Sequence, residues 1–321
     1  MSTQDTAASL VQVEQVSRYY GARAAVREVS FTMRRGEVLG FLGPNGAGKS
    51  TTMQMITGNL APSEGRVLID GIDIVASPRA AKAALGYLPE QPPLYRDFTV
   101  DEFLRFCARL HRVPRIEVAA AVLRAKQRCG LTEMGARLIG NLSKGYQQRV
   151  GIAQAILHAP KVVILDEPTV GLDPIQIREI RALIRDLAQE HSVILSTHIL
   201  PEVQAVCDRV QIIHKGELVL SDTIAGLTQR MQALSLRVAF RRPPPRDALQ
   251  ALPAVADVEA LEGGRFRLHH ARDASPAEAL VAAAVAGDWG LYELTPEHLS
   301  LEEIFVDITR AEPAADGEQA A

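Results

Sequence analysis

The residues Gly43-Pro44-Asn45-Gly46-Ala47-Gly48-Lys49-Ser50-Thr51 combine the types needed to hold a polyphosphate. They fit G-x-x-x-x-G-K-[ST], the phosphate-cradling pattern called Walker A. Gly43, Gly46 and Gly48 carry no Cβ, so the backbone can curl and bring its N–H groups close to phosphate oxygens. The run from Lys49 to Ile56 opens a helix whose positive dipole end points at the same anion. Lys49 brings a full charge to the β- and γ-phosphates, and the Ser50 hydroxyl is suited to Mg²⁺.

A second group of residues adds hydrolysis. Lys161-Val162-Val163-Ile164-Leu165 is an apolar strand ending in Asp166 and Glu167. Asp166 takes the Walker B role beside Mg²⁺. Glu167 can polarise, as general base, the water that attacks the γ-phosphate.

These groups need particular elements to position them. Val38 to Leu42 reads as the buried parallel strand that feeds the phosphate loop. Leu10 to Val16 alternates as a strand, Val26 to Met33 is strand-like, and Val67 to Ile69 precedes the hairpin signal Asp70-Gly71. This mixture predicts an antiparallel piece beside a parallel sheet. Thr99-Val100-Asp101-Glu102 is a capping box opening a helix to about Leu110. Ile116 to Cys129 is a second helix, so residues 92–140 read as an α-helical insertion. The α/β pattern then returns: a helix over Val150 to Leu157, the Asp166 strand, a helix from Pro174 to Glu190, a strand over Ser192 to Ser196, a short helix from Pro201 and a strand over Arg209 to Ile213.

The predicted fold class is α/β, a P-loop nucleotide-binding domain over residues 1–222 with the antiparallel β piece and the helical insertion. Residues 223–310 show a β-α-β-β-α-β order that predicts a small α+β, ferredoxin-like C-terminal domain. A last helix is expected over Leu299 to Ile308, and residues 311–321 are expected to be a disordered tail.

Bulk properties narrow the class. The chain has 321 residues, 47% of them hydrophobic, and a formal net charge of -3. That balance argues against a strongly basic nucleic-acid binder. Met1 to Asp5 lacks the layout of a signal peptide. No apolar run approaches the ~20 residues of a membrane-spanning helix. Cys107, Cys129 and Cys207 have no C-x-x-C spacing and read as buried thiols of a reducing compartment. The histidines, His269-His270 included, lack metal-ligand spacing. The expectation is a cytoplasmic protein that acts on a membrane only through a partner.

Asn141-Leu142-Ser143-Lys144-Gly145-Tyr146-Gln147-Gln148-Arg149 makes the pattern specific. Leu142 to Tyr146 resembles the ABC signature, usually L-S-G-G-Q, and precedes the Asp166 strand as in that family. Asp173 in Gly171-Leu172-Asp173-Pro174 resembles the family's D-loop. His198 resembles its switch histidine, and Tyr20-Gly21 its adenine-stacking aromatic. The resemblance covers residues 10–215, the nucleotide-binding domain of an ABC transporter. It implies ATP and Mg²⁺ as cofactors and a homodimer of head-to-tail cassettes. In such a pair the Ser143 and Gly145 segment of one copy covers the phosphate loop of the other. As an N-cap, Ser143 opens a helix whose N–H groups can face an anion.

The resemblance also implies a separate transmembrane permease, no nucleic acid as partner, and a place at the inner face of the cell membrane. The Tyr87-Leu88-Pro89-Glu90 loop and Ser300 to Phe305 resemble the drug-efflux and gliding-motility exporter group. Glu90 stands where the family has a glutamine that senses Mg²⁺, so it is a candidate for nucleotide and metal contact. Lys144 and Tyr146 are further departures, and with Glu90 they put the hydrolysis rate in question. Leu94, Tyr95 and Phe98 suit either a groove for a partner helix or local core packing. A soluble ABC ATPase acting on ribosomes or DNA is the alternative. Its coiled-coil form needs a heptad run that is absent, and its two-cassette form needs a second Walker A. The role of residues 223–310 is open between regulation, dimer support and partner docking.

Overall fold

The structure, a computed structural model, describes residues 9–230, 235–271 and 274–297. The predicted helix over Leu299 to Ile308 and the tail from Ala311 lie outside these residues. The chain divides into two compact units, Met1–Ile224 and Ala225–Ala321.

The first unit opens with β1 (Ser9–Tyr20) and β2 (Arg23–Arg34), then β3 (Val38–Leu42), the phosphate loop and α1 (Lys49–Ile56). Next come β4 (Glu64–Ile69), β5 (Ile72–Asp73), α2 (Pro78–Ala83) and β6 (Leu85–Leu88). Two helices follow, α3 (Val100–Leu110) and α4 (Val118–Arg128), before α5 (Lys144–Ile156) and β7 (Val162–Asp166). The unit continues through α6 (Pro174–Leu187), β8 (Ser192–Thr197), α7 (Leu200–Val206), β9 (Arg209–His214) and β10 (Glu217–Thr223).

Two sheets form. An antiparallel one has the order β2-β1-β4-β5, and a larger one the order β10-β9-β3-β8-β7-β6. In the larger sheet β9, β3, β8, β7 and β6 are parallel, and β10 is an antiparallel edge strand. Alternation across the parallel strands builds a core on each face. Val163, Leu165, Val193 and Leu195 join one core, while Val162, Ile164 and Ile194 join the other. With both faces covered, every residue of β3, β7 and β8 is buried. Such strands read as continuous apolar runs.

The predicted capping box is present. Thr99 Oγ1 accepts from the Glu102 N–H at 3.2 Å, and Glu102 Oε2 accepts from the Thr99 N–H at 2.8 Å. The first strand runs further than its alternation suggested. Pairing of β1 with β2 shifts register between Val13 and Val16, Val16 and Arg18, and Arg18 and Tyr19. Each irregularity moves side chains to the other face, so the period-2 signal fails while the strand continues. The helix α2 was not legible as a periodic pattern; Ser77 followed by Pro78 is its one local signal.

The second unit opens within α8 (Ile224–Arg230) and continues through β11 (Ser235–Phe240), α9 (Arg246–Gln250), β12 (Val255–Leu261), β13 (Arg265–His270), α10 (Ala277–Ala286) and β14 (Leu291–Glu297). Its sheet order is β12-β13-β11-β14, with every neighbouring pair antiparallel. Leu236, Val238, Val258 and Leu268 of the strands pack with Leu249 and Leu280 of the helices. Between these apolar positions the strands carry Arg237, Glu259, Arg267, Glu293 and Glu297, which pair with one another.

Candidate active site

Three parallel strands end side by side. Leu42 of β3 pairs with Thr197 of β8, and Asp166 of β7 pairs with Ser196 of β8. Gly43, Glu167 and His198 follow these strands and so emerge at one edge. The carboxyl edge of a parallel sheet is where α/β folds bind ligands.

The phosphate loop leaves β3 in a tight turn. Gly48 caps α1 at φ 106°, a conformation that L side chains rarely adopt. A Cβ on Gly43 would come 2.4 Å from the Ile213 carbonyl oxygen. Behind the wall, the Ala47 N–H donates to the Pro44 carbonyl at 3.2 Å, and the Ala47 carbonyl accepts from Gly216 at 2.9 Å. The Lys49 Nζ donates to the carbonyls of Gly43 at 2.8 Å and Pro44 at 3.2 Å. It also lies 3.2 Å from Glu167 Oε1, with both side chains only 6% exposed.

Glu167 sits at φ 48°. An L-residue there costs roughly 1–2 kcal/mol. Its N–H donates to the Ser196 carbonyl at 2.9 Å, which fastens the turn to β8. The other carboxylate oxygen lies 2.9 Å from His198 Nδ1. A carboxylate can only accept, so this contact puts the imidazole proton on Nδ1.

Asp166 is 2% exposed, and its Oδ1 has no hydrogen-bond partner. Burial raises its carboxyl above the usual range; the nearby Ser196 and Ser50 hydroxyls oppose this, and the charges of Glu167 and Glu90 add to it. A buried oxygen with excess negative charge around it is suited to a cation.

A cavity of about 880 Å³ opens here, lined by Asn45, Gly46, Gly48, Lys49, Ser50 and Thr51 of the loop, with Glu90, Glu167 and His198. Tyr20 is also on its wall, with the Arg18 guanidinium carbon 5.0 Å from its ring centre. Tyr19 is directed elsewhere, its hydroxyl donating to Glu64 Oε2 at 3.2 Å.

Ser143, Gly145 and Asp173 lie apart from this cavity. They line a second concavity of about 440 Å³, and no residue lines both. Ser143 Oγ caps α5 by accepting from Tyr146 N–H at 3.4 Å. Asp173 Oδ1 caps α6, accepting from Ile175 and Gln176, each at 2.9 Å. Gly145 is needed for a close approach, since a Cβ there would meet Gln176 Cδ at 2.7 Å. The structure therefore separates the predicted site residues into two groups within one chain.

The sequence profile described as ABC transporter matches residues 26–170. NatA, an ABC transporter ATP-binding protein of Bacillus subtilis (strain 168), is 39% identical over 218 residues, covering 67% of this chain and 89% of NatA. The chain belongs to the ABC transporter family. The linearmycin resistance ATP-binding protein LnrL of the same organism is 31% identical over 305 residues, covering 94% of this chain and 98% of LnrL. A solved ATP-binding subunit of an ABC transporter superposes with a TM-score of 0.63 at 31% identity, covering 69% of this chain and 93% of that one.

Chains of the ABC transporter family bind ATP, typically with Mg²⁺, and the residues present fit both. The glycine cradle and Lys49 suit phosphates, while Ser50 and the unpartnered Asp166 Oδ1 suit the ion. Among the described residues no group of three His, Cys, Asp or Glu side chains could cage a metal. Mg²⁺ does not need one, because it is commonly held by one or two protein ligands together with phosphate oxygens and waters.

Sequence reasoning missed Arg23, Ala24, Ala25, Val170 and Lys215, which also line the ABC cavity. Arg23 and Lys215 add positive charge around the phosphate loop. A basic residue just after Tyr20-Gly21 was a usable signal for Arg23. Lys215 gave none, because it reaches the cavity only through the turn between β9 and β10.

Proposed function

We propose that this chain is an ATPase subunit that drives a separate membrane permease, working as one of two head-to-tail cassettes at the cytoplasmic face. The observation that carries the reading is Glu167, held between Lys49 Nζ at 3.2 Å and His198 Nδ1 at 2.9 Å on the wall of the phosphate cavity. A carboxylate so placed can take a proton from a water directed at the γ-phosphate. Lys49 and His198 supply charge and hydrogen bonds where negative charge develops. Ser50 and Asp166 would hold Mg²⁺, with Glu90 nearby to hold a water on it. Bound there, Mg²⁺ neutralises phosphate charge. Lys49 Nζ shares its three protons among Gly43, Pro44 and Glu167, so reaching the β- and γ-phosphates requires it to leave at least one of them.

Pairing is supported by the separation of the two concavities. The signature helix start lines a different concavity from the phosphate loop of its own chain, which supports a second copy as the source of Ser143, Gly145 and Asp173. Asp173 already caps α6, which makes its main-chain neighbours the better contacts across the pair.

A concavity of about 660 Å³ bounded by Tyr87, Pro89, Tyr95, Phe103 and Phe106 supports a permease dock. Leu94 packs against the core, whereas Tyr95 is 52% and Phe98 36% exposed. The loop thus serves both as local packing and as an aromatic rim. Among the described residues no helix is long and apolar enough to cross a membrane. Export is supported by the resistance function in the name of LnrL. For the second unit, its strand order and two helices on one face support a ferredoxin-like accessory domain.

The test is ATP turnover by the full-length chain beside Glu167→Gln. The variant should bind ATP and dimerise while hydrolysing little; undiminished turnover would overturn Glu167 as the base. Recovery of a polytopic protein with the chain from native membranes supports transport, and recovery of ribosomes or DNA would reject it.

A further inference from the structure

Strand register sets the height at which Glu167 and His198 leave the sheet, but both side chains belong to turns. Rotation of either turn would break their 2.9 Å contact. A buried cluster joins those turns from behind. Glu202, in the first turn of α7, is 1% exposed, Thr169 3% and Thr197 0%. Thr169 Oγ1 donates to Glu202 Oε1 at 2.6 Å, and Thr197 Oγ1 donates to Glu202 Oε2 at 2.8 Å.

The two hydroxyls are placed to control the reacting groups. Thr169 follows Glu167 by two positions, and the Val170 N–H closes the same turn onto the Glu167 carbonyl at 3.2 Å. Thr197 precedes His198, and its Oγ1 also accepts from the Ile199 N–H at 3.1 Å, bracketing the histidine. Because that oxygen accepts from Ile199, its proton is free to go to Glu202. Each carboxylate oxygen thus receives one hydroxyl, a pattern that an amide, with one accepting atom, cannot reproduce unchanged. Arg181 Nη2 of α6 lies 3.6 Å from Glu202 Oε1, which extends the cluster to the helix that Asp173 caps. Neither Thr169, Thr197 nor Glu202 lines the phosphate cavity.

We propose that Glu202 is a positioning residue that locks the turn carrying Glu167 to the turn carrying His198 through Thr169 and Thr197. This inference rests on the ATPase reading for its kinetic readout but not for its spectroscopic one. Full-length Glu202→Gln, Thr169→Val and Thr197→Val are compared with Thr169→Ser and Thr197→Ser. Misplacing a reacting group by about 1 Å can cost on the order of 10²-fold. The expected result is a kcat lowered roughly tenfold to a hundredfold, with KM for ATP nearly unchanged and the pH profile altered. Turnover is scaled to nucleotide-binding stoichiometry, which removes any inactive fraction. The serine variants, which keep the hydroxyl, should recover most of the rate.

The second readout is the ¹⁵N imidazole signal of His198, identified by its loss in His198→Ala. It should report a fixed Nδ1–H tautomer in the parent and an averaged one in Glu202→Gln and Thr197→Val. Should Glu202→Gln fail to fold, Thr197→Val carries the test, because it alters no charge and little shape. Parent-like turnover and an unchanged His198 signal in the valine variants would overturn the proposal. So would serine variants as impaired as the valine ones, since the hydroxyl would then be irrelevant. If the parent itself does not turn over ATP, the ATPase reading fails, and the imidazole signal still decides the role of Glu202.

Discussion

The cavity of the first unit and the sheet of the second treat charge in opposite ways. In the first, buried Glu167 pairs with buried Lys49, while the neighbouring Asp166 is buried with an Oδ1 that has no hydrogen-bond partner. In the second, Arg237 reaches Glu293 and Glu297, and Arg267 reaches Glu259 and Glu297. The second array is also wetter, with Arg267 at 35% and Glu259 at 48% exposure. Exposed, mutually satisfied pairs stabilise a sheet by about 0–1 kcal/mol each and leave little field to attract a ligand. A buried array with an unmatched carboxylate holds its field for an incoming cation and the phosphates that accompany it. The difference follows from topology. Parallel strands deliver their ends to one shared edge, whereas the antiparallel strands of the second unit spread their charges across a face.

Replacing a member of the unmatched array should therefore do most. Glu167→Gln is expected to lower ATP turnover on the order of 10²–10⁴-fold, measured as phosphate release at saturating Mg·ATP. A comparable loss from Arg267→Ala in the second unit would break the contrast.

Asp166→Asn separates stability from binding. The folded carboxyl titrates above its ordinary value because of burial, so the folded state holds a proton more tightly than the unfolded chain does. Stability then falls as pH rises from the unfolded value through the raised folded one, and the cost is complete above it. At neutral pH the asparagine variant should melt higher than the parent without Mg²⁺, yet gain far less from Mg·ATP. A lower melting temperature in both conditions would contradict the unmatched charge.

His158 supplies a titration of intermediate size. Burial first, and the neighbouring His111 second, bring it from 6.5 to about 4, against an opposing hydrogen bond to the Leu85 carbonyl. Its ring stacks on that of His111 with centres 3.9 Å apart. Between those two values the unfolded chain binds the proton and the folded one does not. Stability is therefore lost as pH falls from 6.5 toward 4, by roughly 1–3 kcal/mol in all. Urea titrations at neutral and acidic pH should show a shallower decline in His158→Gln; an identical decline would assign the effect to other groups.

Arg267→Ala should have the smallest effect, a loss of about 1 kcal/mol or less with ATP turnover unchanged. Burial works to raise Glu297, but Arg267 through its hydrogen bond and charge, with Ser235 and Arg237, brings it below its ordinary value. That contribution is present above the unfolded value and fades as pH falls through the lower folded one. Its disappearance in Arg267→Ala, seen as a flatter acid limb in thermal melts, would sharpen the picture of a balanced ladder.

How much was legible differs between elements for physical reasons. The phosphate loop, Asp166-Glu167 and the Thr99 cap depend on neighbours in sequence, so residue type and spacing expose them. Resemblance marks Tyr20 as a site residue, whereas the alternation that marks its strand ends at Val16, because bulges in the β1–β2 pairing erase it. Lys215, Glu202 and Thr169 escaped notice because their partners are distant in the chain or, as with Thr197 and Glu202, separated by a turn of unpredictable direction. The short helix α2 lacks the length to show a period.

The sequence by itself determined the chemistry on offer: a polyphosphate cradle, a lysine, a hydroxyl and a pair of carboxylates, each in its local element. Only the tertiary structure decided which of these meet. Parallel pairing of β3, β8 and β7 brought Lys49, Glu167 and His198 within hydrogen-bond reach, and the packing of α5 and α6 placed Ser143, Gly145 and Asp173 in a different concavity. Local spacing encodes what a segment can bind. Strand order and register, which arise from burying both faces of the sheet at once, fix the distances at which those segments can act together.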